Sequence, residues 1–242
     1  MPSAPDDSST RTILVDGRPA PYTVRRSARA RYARIQIHPR DGLQVVLPHT
    51  TPVGEASRLL HDKQKWLTKH ALRIRRAGRA PLPMRDGERL PYRGEWYPLA
   101  IDRALKTAVR CTSGAIHVRL NAPHDEAAVR AALERWYRRE ARRVMLDRLR
   151  MLRDTEDPAV RRVTIRDQDT RWGSCSSAGT LSFNWRLVMA PPPVADAVVV
   201  HELVHLSIAD HSPAFWNALQ ERFPRHTACR RWLDANAYRL RL

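Results

Sequence analysis

Apolar and polar positions alternate along residues 12–48, the two-residue period of half-buried strands. Ile13-Leu14-Val15 runs into Asp16-Gly17, a turn signal, and then into Tyr22-Thr23-Val24. Residues 34–38 and 43–47 flank Pro39-Arg40-Asp41-Gly42 and predict a second hairpin. Pro52 opens a predicted helix to about Arg76, with Leu59, Leu60, Trp66, Leu67 and Leu72 as its buried positions, and residues 78–83 form a linker. Strand signals return over 88–120, with turns at Arg93-Gly94 and Ser113-Gly114. From Asp125 to about Leu152, Val129, Leu133, Trp136, Tyr137, Ala141, Val144, Met145, Leu149 and Leu152 recur at spacings of three and four. That stripe predicts one long helix packed on a core, with arginines on its other face.

Residues 160–166 read as a strand, and 170–175 with 181–188 read as a hairpin around Ser177-Ala178-Gly179. Pro191-Pro192-Pro193 stops the strand and opens the next helix, since proline is tolerated in a first turn. Ser212-Pro213 starts a further helix, and a last one covers about 227–239. The fold class predicted is α+β. It comprises a disordered tail over 1–10, a basic β-rich portion with one helix over 11–120, and a core over 121–242. No internal repeat is legible.

The chemistry concentrates in His201-Glu202-Leu203-Val204-His205 and in His211. Histidines four apart on a helix lie on one face, so both imidazoles reach one metal. Glu202, beside the first, can touch a metal-bound water without being a ligand. The helix is too apolar upstream (Val198, Val199, Val200) for a solvated surface, and burying two histidines and a glutamate there is costly unless they are paired or bound. His211 lies six residues past His205, room for the chain to turn a third imidazole back; Asp210 and Glu221 are rival third ligands. Three protein ligands with an open fourth position make a catalytic zinc site rather than a structural one. Zinc lowers the pKa of bound water toward about 7. Glu202 as general base would take that proton and pass it to the leaving group. The reaction class expected is metal-assisted hydrolysis with one Zn2+ per chain.

Composition adds a question about partners. The 242 residues carry a net charge of +18, but residues 166–242 hold nine Arg against seven acids, so the first 165 carry +16. A basic N-terminal portion is a candidate surface for nucleic acid or nucleotides. The rival reading is compositional, because the chain uses only four Lys and is rich in Ala, Arg and Pro. Cys111, Cys175 and Cys229 form no CxxC pair and no disulfide framework, which points to a reducing compartment. The polar N-terminus lacks the apolar core of a signal peptide, and no apolar run reaches membrane-span length. A cytoplasmic protein with no membrane partner is expected.

Four ordered motifs carry a resemblance: Arg171-Trp172-Gly173-Ser174-Cys175, Asn184-Trp185-Arg186-Leu187-Val188, His201-Glu202-Leu203-Val204-His205 and His211-Ser212-Pro213-Ala214-Phe215-Trp216. Together they resemble the YgjP-like metallopeptidase family, itself similar to SprT-like and other zincin-fold zinc proteins. The resemblance is dense over 160–235 and looser over the N-terminal hairpins, where Arg26-Ser27-Ala28-Arg29-Ala30-Arg31 matches an Arg-rich opening segment. It implies a zincin-like catalytic core with an HExxH active-site helix, His201, His205 and His211 as zinc ligands, and Glu202 as catalytic base. It also implies an edge strand around 171–174 beside the metal helix, able to pair with an extended peptide substrate. Arg171 is then a candidate substrate or transition-state contact. The alternative favoured for Arg171 is an ion pair with Asp169 or Asp196. Trp172 and Trp216 are expected to pack rather than to bind substrate. The chain departs from the family at Asp169, where Lys is usual, and at Asp210, where Asn is usual; Asp210 is a candidate to hydrogen-bond a ligand histidine from behind and hold its tautomer. Ile208 in place of a turn glycine, with no methionine after Met189, excludes the metzincin pattern.

The function expected is a zinc metallopeptidase acting on peptides or proteins. The alternatives are a metal-dependent nucleoside triphosphate phosphohydrolase, against which the lack of a P-loop counts, and a nucleic-acid-associated SprT-like protease.

Overall fold

Asp16 and Gly17 both adopt left-handed backbone, φ 53° and 68°. That geometry matches strand twist and makes the two-residue turn joining β1 (Arg11–Val15) to β2 (Arg18–Ser27). The computed structural model describes residues 10–38, 41–71, 74, 82–121, 125–168, 171–240 and 242. The expected tail therefore lies outside the described residues apart from Thr10. The chain divides into two compact units, 1–80 and 81–242.

In the first unit, β3 (Arg34–His38) and β4 (Gly42–Pro48) form the second hairpin, and the sheet order is β1-β2-β4-β3 with β2 and β4 parallel. The predicted helix after Pro52 is broken. Lys63 leaves helical geometry (φ −102°, ψ 22°) between α1 (Glu55–Asp62) and α2 (Gln64–Lys69). Leu60, Leu67, Ala71 and Ile74 are buried against Val24, Leu43, Val45 and Leu47, while Leu72 lies outside the described residues.

The second unit repeats this topology. β5 (Arg89–Tyr92), β6 (Glu95–Arg103), β7 (Ala108–Thr112) and β8 (Ala115–Leu120) take the order β5-β6-β8-β7, again with the middle pair parallel. Register coincides as well. Tyr22, Val24 and Arg26 face Leu43, Val45 and Leu47 in one sheet, and Leu99, Ile101 and Arg103 face Ile116, Val118 and Leu120 in the other. A repeat is thus present in structure where none was legible in sequence. Each strand position asks only for an apolar or polar side chain, and Asp16-Gly17 and Arg93-Gly94 satisfy the same turn with different residues.

α3 (Glu126–Leu152) follows β8, capped by Asp125, which accepts from the Ala128 amide at 2.5 Å. Its predicted stripe is buried except for Leu152, which is half-buried, and Leu90, Leu99, Ile116 and Val118 share one core with Val129, Leu133 and Tyr137. The strands over 89–120 therefore belong with the C-terminal core. The two compact units meet after residue 80, because shared apolar burial defines a unit.

Behind α3, β9 (Arg162–Arg166), β10 (Gly173–Cys175) and β11 (Thr180–Asn184) form a sheet of order β10-β11-β9, so β10 is an edge. The strand predicted over 181–188 stops at Asn184. There the side-chain oxygen accepts from the Arg186 amide at 3.1 Å and starts a 3-10 turn, Trp185–Met189. The β5–β6 turn grips that segment. Arg93 and Gly94 amides donate to the Val188 and Met189 carbonyls (2.8 and 3.1 Å), and a Cβ at Gly94 would lie 2.9 Å from Pro191 Cα. Pro191 leads into α4 (Pro192–Val204), which is followed by α5 (Pro213–Arg222) and α6 (His226–Asn236). Among the described residues no helix is long and apolar enough to cross a membrane.

Candidate metal centre

α4 is apolar on every face, and ten of its thirteen residues are buried, from Val194 to Val204. It therefore runs through the core rather than along the surface, and what it carries at its C-terminal end is held rigidly. His201 and Glu202 lie in the last turn, and His205 is the C-cap, still in helical backbone (φ −65°, ψ −16°). The chain then turns through residues 206–210, and α5 starts at Pro213.

This turn brings His211 back. Its Nε2 lies 3.2 Å from Nε2 of His205 and 3.2 Å from Nε2 of His201. The three ligand-capable nitrogens fall within 4.8 Å of one another. Three imidazole nitrogens facing inward at such spacing present lone pairs to each other, an arrangement a metal cation satisfies. His205 Nδ1 sits 2.9 Å from the Ile208 carbonyl, a contact that orients the ring with Nε2 toward the other two histidines. Burial, with the His205 and His211 rings adding to it, depresses the His201 pKa to about 4. His211 is lowered too, first by burial and then by His205 and Arg230. Both are neutral at physiological pH, the form that ligates.

Phe215 is the floor under the trio. It is fully buried, stacks on His205 (4.4 Å between centroids, 28°) and meets His201 and His211 edge-on at 4.9 and 4.8 Å. Trp216 stacks on His211 at 5.4 Å.

Glu202 is 4% exposed, and its Oε2 has no hydrogen-bond partner among the described residues. Burial pushes its pKa up to about 8, with Arg171 offsetting part of the rise. β10 lies directly against it. A Cβ on Gly173 would come within 2.8 Å of Glu202 Cγ and 2.9 Å of Cδ, and closer still to Oε1. Gly173 thus lets an edge strand pass at contact distance from the carboxylate. Asn184 anchors the approach to that strand: its amide donates to the carbonyls of Gln168 (2.6 Å) and Arg171 (3.2 Å).

Trio and carboxylate open on a cleft of about 1310 Å³. Its walls include β10, Arg171, Trp172, Trp216, His226 and Arg230. Arg171 does not pair with Asp196, as had been favoured. Asp196 is held bidentately by Arg148 at 2.5 and 2.6 Å, across α3 and α4. Asp169, the other expected partner, lies outside the described residues. Asp210 turns its carboxylate to the Ser212 amide (3.1 Å) at the start of α5, rather than to a ligand ring. Glu221, a rival ligand, is not among the residues gathered at the trio.

Sequence reasoning had passed over Gly173 as a contact, Phe215 as a floor, and His226 with Arg230. Only the last pair carried a readable signal: a spacing of four on the final helix, which puts both on one face.

His201, His205 and His211 form a cluster that could hold a metal ion, and the buried Glu202 carboxylate lies one residue from the first of them. The family profile described as "YgjP-like, metallopeptidase domain" matches residues 31–236. The chain belongs to the YgjP-like metallopeptidase family. No curated protein matches it. The family points to a peptide or protein substrate, and the match does not support the candidate nucleic-acid contact.

Proposed function

We propose that the protein is a zinc metallopeptidase in which His201, His205 and His211 hold the metal and Glu202 is the general base. The observation that carries this reading is the inward-facing imidazole triangle. Tetrahedral zinc with bonds of about 2.0–2.1 Å sets its ligand nitrogens about 3.3 Å apart, and the two measured separations are 3.2 Å. Three imidazoles without carboxylate or thiolate favour zinc over manganese or magnesium. A zincin-like arrangement is supported by an edge strand running beside the helix that bears His201 and Glu202.

When bound, zinc supplies Lewis acidity, polarising a carbonyl and easing the deprotonation of water. The chain's own groups do the rest. The free edge of β10 offers backbone donors and acceptors to an extended peptide, aligning its scissile amide over the trio. Glu202 takes a proton from the attacking water on its carboxylate, whose Oε2 has no hydrogen-bond partner among the described residues. It returns that proton to the leaving amine. A nearby cation and Arg171 favour the ionised form that a base needs, against the burial that disfavours it. Arg171 lines the same cleft and can meet the oxyanion.

The test is elemental analysis with peptide cleavage on wild type, His201→Ala and Glu202→Gln. About one zinc per chain is expected in wild type and in Glu202→Gln, with loss in His201→Ala and cleavage in wild type alone. Peptide cleavage at the wild-type rate by Glu202→Gln would refute the assignment of the base.

A further inference from the structure

The arginines of the second unit fall into two populations. Arg138, Arg143, Arg148, Arg186 and Arg222 are each ion-paired with an aspartate or glutamate. Arg161, Arg171 and Arg230, which line the metal cleft, have no such pair among the described residues, and Glu202 is the only acid in the cleft wall. The unpaired line continues. Arg161 also borders a neighbouring groove of about 510 Å³, whose walls are residues 161–166 of β9 and its lead-in together with Arg142, and no acid lines it. Arg142 bonds there only to the Val163 carbonyl, at 3.3 Å.

A net charge of +18 leaves unpaired arginines somewhere, so their number alone decides nothing. Their placement does. Arg230 lies over the Trp216 ring at 5.8 Å, and His226, one turn earlier on α6, stacks on the same ring at 6.2 Å and 25°. Trp216 stacks in turn on His211. A guanidinium held over an aromatic face keeps its N–H edges free, and that edge is the fork that matches a carboxylate. This puts a carboxylate-binding group two ring contacts from the metal trio. The same cleft wall includes Arg161, which also borders the β9 groove.

We infer that the cleft takes an acidic segment of a polypeptide, with Arg230 on Trp216 receiving an aspartate or glutamate side chain beside the scissile bond and Arg161 with the β9 groove receiving further carboxylates along the same chain. This rests on the metallopeptidase reading and names the substrate class for that site.

The test uses the full-length, zinc-loaded Glu202→Gln protein, which binds without turnover, and labelled peptides of one length: Asp/Glu-rich, Ser/Gln-rich and Lys-rich. Fluorescence anisotropy should show the acidic peptide bound about tenfold more tightly than the neutral one, since a few partly exposed charge pairs add up to that much. The advantage should shrink at high salt. An Arg161→Gln/Arg230→Gln double variant should bind acidic and neutral peptides alike while keeping its zinc content. Equal affinity for all three peptides, or an acidic preference that survives in the double variant, overturns the inference. So does a single-stranded oligonucleotide of equal charge that displaces the acidic peptide at lower concentration than unlabelled peptide does. Wild-type cleavage separates the two readings. Cleavage without acidic preference removes the inference and leaves the peptidase. Selective acidic binding with no peptide cleaved removes the peptidase and leaves the acidic ligand.

Discussion

Gly173→Ala is the sharpest perturbation of the site, because it adds one methyl and removes nothing. Gly173 has no left-handed backbone to lose, so the effect is steric alone. The new Cβ would lie 2.8 and 2.9 Å from Glu202 Cγ and Cδ. Carbon atoms pack at about 3.5–4.0 Å, so strand or side chain must yield by about 0.7–1 Å. Glu202 sits in the last turn of a buried helix and cannot swing into solvent, which leaves little slack. Overpacking of this kind costs about 2 kcal/mol, which lowers Tm by about 4–8 °C for a domain of this size. The chemical step should suffer more, since a 1 Å misplacement of a reacting group costs on the order of 100-fold. The assay is peptide cleavage with kcat and KM resolved, alongside zinc content and thermal unfolding. The expected result is a kcat loss of about 100-fold with zinc retained and KM changed little. Wild-type kcat in a folded, zinc-loaded Gly173→Ala would show that the carboxylate's position beside β10 does not matter to the reaction, and the role given to Glu202 would fall with it.

Three further outcomes are expected. Phe215→Leu removes the ring that all three imidazoles touch, and zinc affinity should drop about 10- to 100-fold, the usual effect of losing support behind ligands, as read by competition with a chromogenic chelator. Gly94→Ala meets both a φ of 90° and the Pro191 contact; about 3 kcal/mol of destabilisation is expected, a fall in Tm of about 6–12 °C, and an unchanged Tm would mean the hairpin does not clamp the entry to α4. The chelated protein should show opposed pH dependences. Between about 4.5 and 8 folded Glu202 keeps a proton that the unfolded chain releases, so stability falls as pH rises, by up to ~1.4 kcal/mol per unit. Between about 6.5 and 4 the unfolded chain takes up a proton that folded His201 refuses, so stability falls as pH falls. Urea midpoints of EDTA-treated Glu202→Gln should lose the first slope and keep the second; an identical alkaline slope in wild type and variant would contradict the burial cost assigned to Glu202.

Much of the architecture was legible because local rules govern it. Strand alternation with turn signals placed the four strands of the first sheet and the strand region of the second with its turns at Arg93-Gly94 and Ser113-Gly114, though not the break between β6 and β7, and the three-four spacing placed α3 with most of its stripe. The run at α4 announced a helix through the core, and the His201 and His205 pairing follows from helix pitch alone. Where the sequence misled, a contact between distant segments had intervened. Asn184 ended a strand that its neighbours favoured, and Arg148 claimed Asp196, one of the two aspartates expected for Arg171.

The sequence by itself determined the element types, the mixed α+β class and the chemical repertoire of the site, since all three depend on periods and residue kinds within a few turns of chain. Only the tertiary structure decided that residues 89–120 belong to the core that carries His201, that His211 closes the trio, that Gly173 touches Glu202, and that Arg230 rests on Trp216. Each of these is a meeting of segments whose separation along the chain carries no period. Proximity there is set by how apolar faces pack together, which no local pattern encodes.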